Sequence, residues 1–95
     1  VTISSLIDIN GFIMPPQQLE VWAGKDMEHL RLLKKRNPEQ PQKAEPGYMK
    51  GYELKFDAVK EKYFKIVVAP VPKLPAWHRG KGDKGLAFVD EIFLN

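Results

Sequence analysis

A loop near the end of the chain carries the side chains best suited to bind a ligand. Trp77 offers a large aromatic face, His78 a ring that donates and accepts hydrogen bonds, and Arg79 a further donor. An exposed aromatic ring packs against the C–H groups of a pyranose, while a neighbouring polar side chain bonds a hydroxyl. The three residues therefore predict a sugar contact. In the alternative interpretation, Trp77 anchors the loop and His78 bonds a backbone carbonyl.

A second candidate is the apolar tip formed by Phe12, Ile13 and Met14, which lies between Asn10-Gly11 and Pro15-Pro16. Phe12 could complete an apolar platform beside the tryptophan. Its alternative role is to cap the core, because apolar side chains near a surface often belong to ordinary packing.

Catalysis is not indicated by any set of side chains. Asp90 and Glu91 are adjacent on a predicted strand, where neighbours point to opposite faces, so they cannot act together on one substrate atom. Ser4 and Ser5 lie in a predicted strand with no candidate base nearby. The chain has no cysteine, which excludes a disulfide framework, a cysteine zinc site and a thiol nucleophile. We expect a protein segment that is not an enzyme by itself.

The size and charge of the chain limit its class further. With 95 residues it is expected to form a single domain, over residues 1–95. The net charge of +3 is mild and its cations are scattered among acids, which argues against nucleic-acid binding. No apolar run reaches the ~18 residues of a membrane span. The chain begins at Val1 and not at Met, so we expect a piece of a longer protein.

Short β-branched and apolar runs, separated by Pro and Gly clusters, predict an all-β fold, an antiparallel β-sandwich. The stretch 27–36 fits either a short helix or a strand, and its strand neighbours favour a strand. Six strands are predicted, over Val1–Ile9, Leu19–Ala23, Leu30–Lys34, Gly51–Phe56, Lys62–Ala69 and Leu86–Leu94.

The order of these strands places the candidate site. If successive strands run antiparallel, the long loops 10–18, 37–50 and 70–85 emerge at one end of the sandwich, and the short turns lie at the other. Loops on a rigid scaffold are common binding sites. We therefore expect any sugar site at the end shared by the three long loops.

Three stretches resemble a known family. PPQQLEVWAGKD (Pro15–Asp26) and KYFKIV (Lys62–Val67) are similar to segments of coagulation factor 5/8 C-domain-like modules, also called discoidin or family 32 carbohydrate-binding modules. LPAWHRGKGDKGLAFVDEIFL (Leu74–Leu94) resembles the tail of the modules that follow the catalytic domain of bacterial β-hexosaminidases, or chitobiases. The chain departs from the family at Leu74, where those modules have cysteine. It also lacks the family's N-terminal strands and loop.

The resemblance implies a jelly roll of the galactose-binding-domain-like type without those strands. It implies a non-catalytic accessory module of a secreted glycoside hydrolase that targets the enzyme to glycan of the N-acetylhexosamine or galactose type. The alternative is a purely structural module that packs on its own catalytic domain. The implied location is secreted, periplasmic or on the bacterial cell surface, and we expect a monomer. The family often holds a structural calcium, for which Glu91 is the candidate ligand here.

Overall fold

A computed structural model describes residues 1–57 and 59–94 of the chain. Within them, backbone pairing forms two antiparallel sheets of three strands each. Asp8 caps a single 3-10 turn over Ile9–Gly11 by accepting a hydrogen bond from the Gly11 N–H. Among the described residues there is no helix long and apolar enough to cross a membrane. The strands are β1 (Thr2–Ile7), β2 (Gln18–Gly24), β3 (Leu30–Arg36), β4 (Tyr48–Glu53), β5 (Tyr63–Ala69) and β6 (Phe88–Phe93).

The two sheets pack face to face as a β-sandwich. One has the strand order β4-β1-β6 and the other β3-β2-β5, with every pairing antiparallel. Alternate residues of the central strands, including Ile3 on β1 and Leu19 and Val21 on β2, are fully buried between the sheets. Tyr52 and Leu54 complete this cluster from the β4 side. The period-two pattern of the sequence thus produces the core, and the predicted all-β sandwich is confirmed.

All six strands differ from their predicted boundaries at one end or more, and the first and fourth strands show why. The strand predicted over Leu30–Lys34 is present and extends to Arg36, so the strand is confirmed there over the helical alternative. The first strand ends at Ile7, two residues before the predicted end, because Asp8 begins the 3-10 turn. The fourth strand starts at Tyr48 and not at Gly51, since Tyr48 and the residues after it pair with β1. Pairing with β1 thus extends the strand on the N-terminal side of Gly51, although glycine is unfavourable in strands.

The three long loops meet at one end of the sandwich, as predicted. The side-chain amide of Gln40 donates to the carbonyls of Pro15 at 3.0 Å and Pro16 at 3.1 Å, which joins loop 37–47 to the loop before β2. Arg79 donates to the carbonyl of Asn10, which joins the loop before β6 to the same region. These bonds use carbonyls that no strand pairs, so they hold the loops together.

A second core cluster lies beneath these loops. Its buried members are Ile7, Ile9, Met14 and Leu74, and Phe12, Tyr48 and Val71 pack against them. Fully burying such a side chain contributes about 1.5–3 kcal/mol. This cluster therefore stabilises the end of the sandwich where the long loops meet, and the candidate site lies next to it.

Candidate functional site

His78 is a buried brace of the loop end. Its ring is only 4 % exposed. Nδ1 accepts the Gly80 N–H at 2.9 Å, so the ring proton lies on Nε2, which faces the Ile9 carbonyl oxygen within hydrogen-bond distance. The arrangement matches the interpretation in which His78 bonds a backbone carbonyl. Contact between His78 and a sugar requires one of these two bonds to open.

Phe12 and Arg79 pack around the same ring. The Phe12 ring meets His78 edge to face, with 5.2 Å between centroids, and the Arg79 guanidinium lies 5.5 Å from the Phe12 centroid. Phe12 adopts the left-handed backbone conformation with φ 68°, which turns the chain sharply after the 3-10 helix. Phe12 is half-buried and covers the second core cluster, whereas Arg79 remains exposed at the edge of this stack.

Trp77 faces a cleft of about 340 Å³, within the ~300–1,000 Å³ typical of ligand sites. The indole is 36 % exposed, so part of its face is open to solvent. All three long loops line the cleft, and its lining includes Met14, Gln42 and Lys73. Apolar groups form one part of the wall, and the amide and ammonium groups offer hydrogen-bond donors. We refer to this space as the Trp77 cleft.

Gln40 lines this cleft and fixes the position of the loop that carries it. Its two amide hydrogens are used by the Pro15 and Pro16 carbonyls. Its Oε1 atom is buried and has no hydrogen-bond partner among the described residues. A buried acceptor without a partner is costly, and in proteins such an atom usually bonds water or a ligand. The amide therefore positions the loop through its nitrogen and leaves an acceptor beside the cleft.

A second cleft of about 520 Å³ lies between β4 and loop 37–47, and we call it the β4 cleft. Tyr48, Lys50 and Tyr52 line it from alternate positions of β4, so they belong to one face of the strand. Arg36 of β3 contributes from the other sheet, with its guanidinium 5.4 Å from the centroid of Tyr52. Aromatic and charged side chains thus meet in one groove.

Burial controls the ionisation of both tyrosines in the β4 cleft. It raises the pKa of Tyr52 to about 12, and the neighbouring Tyr48 adds to this effect while Arg36 opposes it. The pKa of Tyr48 is also raised, first by burial and then by the negative charge of Glu45. Both hydroxyls are therefore neutral at physiological pH and can donate hydrogen bonds.

Glu91 lies away from both clefts. The β1–β6 register shifts between Ser4 and Ser5, so that Glu91 is opposite Ser4, Val89 is opposite Ser5, and Asp90 has no partner on β1. Val89 packs against the core, and the bulge turns the exposed Glu91 to the outer face shared with Ser4. The strict alternation of side chains predicted for Asp90 and Glu91 therefore does not hold at this bulge.

Calcium requires six to eight oxygen ligands. Within residues 1–57 and 59–94, no group of three acidic, histidine or cysteine side chains is close enough to hold a metal ion. The described side chains therefore supply no acidic cluster for such a site. Glu91 as a calcium ligand stays a prediction.

Sequence reasoning did not single out the polar residues of the clefts. Gln40, Gln42 and Lys73 lie in stretches predicted only as loops, and Tyr48 precedes the predicted fourth strand. One signal was present, because the loop that carries the two glutamines was expected at the same end as Trp77. What was missing was the direction of each side chain, which is set by tertiary contacts such as those of Gln40.

No protein-family model and no curated protein matches this sequence.

Proposed function

We propose that this chain is a non-catalytic glycan-binding module of the discoidin type, with a jelly-roll topology. The observation that carries the proposal is the placement of Trp77, whose partly exposed ring lines a cleft built by all three long loops. The family resemblance of the Trp77-His78 loop supports the same function.

Binding in the Trp77 cleft would be shallow. One pyranose ring packs on the indole, and Gln42 and Lys73 supply hydrogen bonds to its hydroxyls. His78 holds the loop from behind through Ile9 and Gly80. Because few polar groups surround the ring, the affinity for one sugar should be weak, with dissociation constants in the ~mM range.

The biological role follows from the resemblance. The module would keep a β-hexosaminidase-like catalytic domain near glycan of the N-acetylhexosamine or galactose type. Such a hydrolase would be secreted, periplasmic or attached to the bacterial surface, and the module would act as a monomer.

Titration tests this function. N-acetylglucosamine and galactose are titrated into the chain while backbone amide shifts are recorded, a signal that does not depend on either tryptophan. We expect saturable binding by one of the sugars, and loss of at least tenfold in affinity in Trp77→Ala. Trp22→Phe is the matched control, because Trp22 lies in β2 and does not line the Trp77 cleft. The proposal fails if neither sugar binds, or if Trp77→Ala binds like the unmodified chain.

A second candidate function is packing against a catalytic domain without sugar binding. On the outer face of the β4-β1-β6 sheet, Met49 and Phe88 flank Leu6 in register, and both flanking side chains are 50 % exposed. Phe93 is 45 % exposed on the same face, but the exposed Glu91 lies between it and Phe88. The apolar strip of Met49, Leu6 and Phe88 is therefore the candidate interaction surface.

This second function has its own test. The chain is mixed with the β-hexosaminidase-like domain proposed to accompany it, and binding is followed by sedimentation. Packing predicts a complex that is lost in a Met49→Ser, Phe88→Ser double variant and retained in Trp77→Ala. Loss in the tryptophan variant alone would contradict packing through the outer face.

A further inference from the structure

The two clefts share a wall. Gln40, Pro41 and Gln42 line both the Trp77 cleft and the β4 cleft, so the spaces lie on either side of one short segment. Gln40 is held down by the Pro15 and Pro16 carbonyls, whereas Gln42 is exposed. A ligand longer than one ring that occupies the Trp77 cleft therefore has a second groove next to it.

The β4 cleft offers groups that suit a sugar ring. Tyr48 and Tyr52 contribute aromatic surface, although Tyr52 is only 2 % exposed and so supplies the floor of the groove. Lys43 and Lys50 line the same cleft, are exposed, and form no salt bridge with any described residue. Glu45 also lines the cleft and provides an acceptor. Donors and acceptors thus surround an aromatic floor, which is the pattern that binds hydroxyl groups.

Other ligands fit the β4 cleft less well. A strongly anionic ligand would meet Glu39 and Glu45 as well as Lys43, Lys50 and Arg36, so the net charge of the lining is small. The Arg36 guanidinium is already engaged, because it donates to the Glu53 carbonyl at 2.9 Å and lies over Tyr52. A purely apolar ligand would leave these charged groups without partners. A neutral polyhydroxy ligand satisfies both signs of charge.

We propose that the two clefts are consecutive subsites for a linear oligosaccharide that crosses the segment Gln40–Gln42. This inference rests on the proposed glycan-binding function and extends it from a single sugar to a chain. One residue of the glycan packs on Trp77 and bonds Gln42 and Lys73, and the residues that follow bond Lys50 and the Tyr48 hydroxyl. Joining two weak contacts in one ligand raises affinity, because the second contact forms at a high effective concentration.

The test is a titration series with N-acetylglucosamine, its linear dimer, trimer and tetramer, and the corresponding galactose series. For one of the two series, we expect affinity to rise at least tenfold between the monosaccharide and the trimer or tetramer. Lys50→Ala combined with Tyr48→Phe should remove most of that gain and leave monosaccharide affinity unchanged. Lys65→Ala is the control for loss of a surface charge, because Lys65 is exposed on β5 and lines neither cleft.

The outcomes separate the two proposals. If a monosaccharide binds through Trp77 but longer chains bind no more tightly, the extended site is wrong and the glycan-binding function stands. The extended site is also wrong if the Lys50→Ala, Tyr48→Phe variant retains the full gain, or if Trp77→Ala leaves oligosaccharide binding intact. If no sugar of any length binds, both proposals are overturned. Backbone amide shifts of Lys50 and Tyr52 that respond to the trimer and not to the monosaccharide would support the extended site.

Discussion

The ring of His78 connects to the carbonyl oxygen of Ile9 across 69 positions of the chain, in a buried contact. The same ring accepts a hydrogen bond from the Gly80 N–H. One side chain thus ties the loop before β6 to the 3-10 turn after β1. The position of the neighbouring Trp77 at its cleft depends on this connection.

Replacing His78 should therefore destabilise the protein. In His78→Ala, the buried Gly80 N–H loses its partner and the Ile9 carbonyl keeps only the Phe12 N–H, and an unmade buried hydrogen bond costs about 1–3 kcal/mol. We expect chemical denaturation to show a loss of about 2 kcal/mol or more in the free energy of unfolding. His29→Ala is the control, because that ring bonds Asp26 with 61 % of its side chain exposed, and its loss should stay below about 0.5 kcal/mol. Equal losses of unfolding free energy in the two variants would contradict the structural role of His78.

The two glutamines of loop 37–47 should behave differently. Gln40→Met keeps the length of the side chain but removes both bonds to the Pro15 and Pro16 carbonyls, so stability should fall by about 1–2 kcal/mol. Gln42 is exposed, and Gln42→Ala should leave stability within about 0.5 kcal/mol while weakening sugar binding. Denaturation and titration on the same samples separate the two effects. A stability loss in Gln42→Ala as large as that in Gln40→Met would contradict this assignment.

Tyr52 should make the fold sensitive to high pH. Burial first, and then Tyr48, raise its pKa from the ordinary 10.0 to about 12 in the folded protein. The unfolded chain therefore loses the phenol proton first, and stability that is complete below pH ~10 falls as pH rises towards ~12. The gap of about two pH units corresponds to at most roughly 3 kcal/mol. Tyr52→Phe should show a smaller alkaline loss, as measured by denaturation at pH 9 to 12.

The ionisation of Tyr52 can also be followed directly. Tyrosinate absorbance in the folded protein should show a component with a pKa of about 12, and Tyr52→Phe should remove it. Tyr63→Phe is the control, because that ring is 40 % exposed on β5. If both variants lose stability in parallel as pH rises, burial of Tyr52 is not the cause.

Gly80 should not tolerate a side chain. A Cβ atom there would lie 2.5 Å from the Phe12 ring and 3.1 Å from Leu74. Gly80→Ala therefore requires the Phe12 ring to move away from His78, and overpacking of this kind costs about 1–3 kcal/mol. Gly51→Ala is the matched control, since its nearest contact would be an ordinary 3.6 Å. An equal decrease in the midpoint temperature of thermal unfolding in both variants would contradict the close packing at Gly80.

Much of the architecture was predictable because strand signals are local. Alternation along β2 and β5 turns Leu19, Val21, Ile66 and Val68 towards the core. Boundaries were less predictable, as β4 shows, since Tyr48 joins the strand through pairing with Ile7. The bulge at Asp90 had no local signal, because it arises from the register of β6 against β1.

The sequence by itself determined that the chain forms β-strands and that its three long loops share one end, since both follow from short-range patterning and antiparallel order. Only the tertiary structure decided what each residue of the Trp77-His78 loop does. Trp77 faces an open cleft, and His78 turns inward to bond Ile9. These directions depend on contacts between residues far apart in the chain, and no local pattern encodes such contacts.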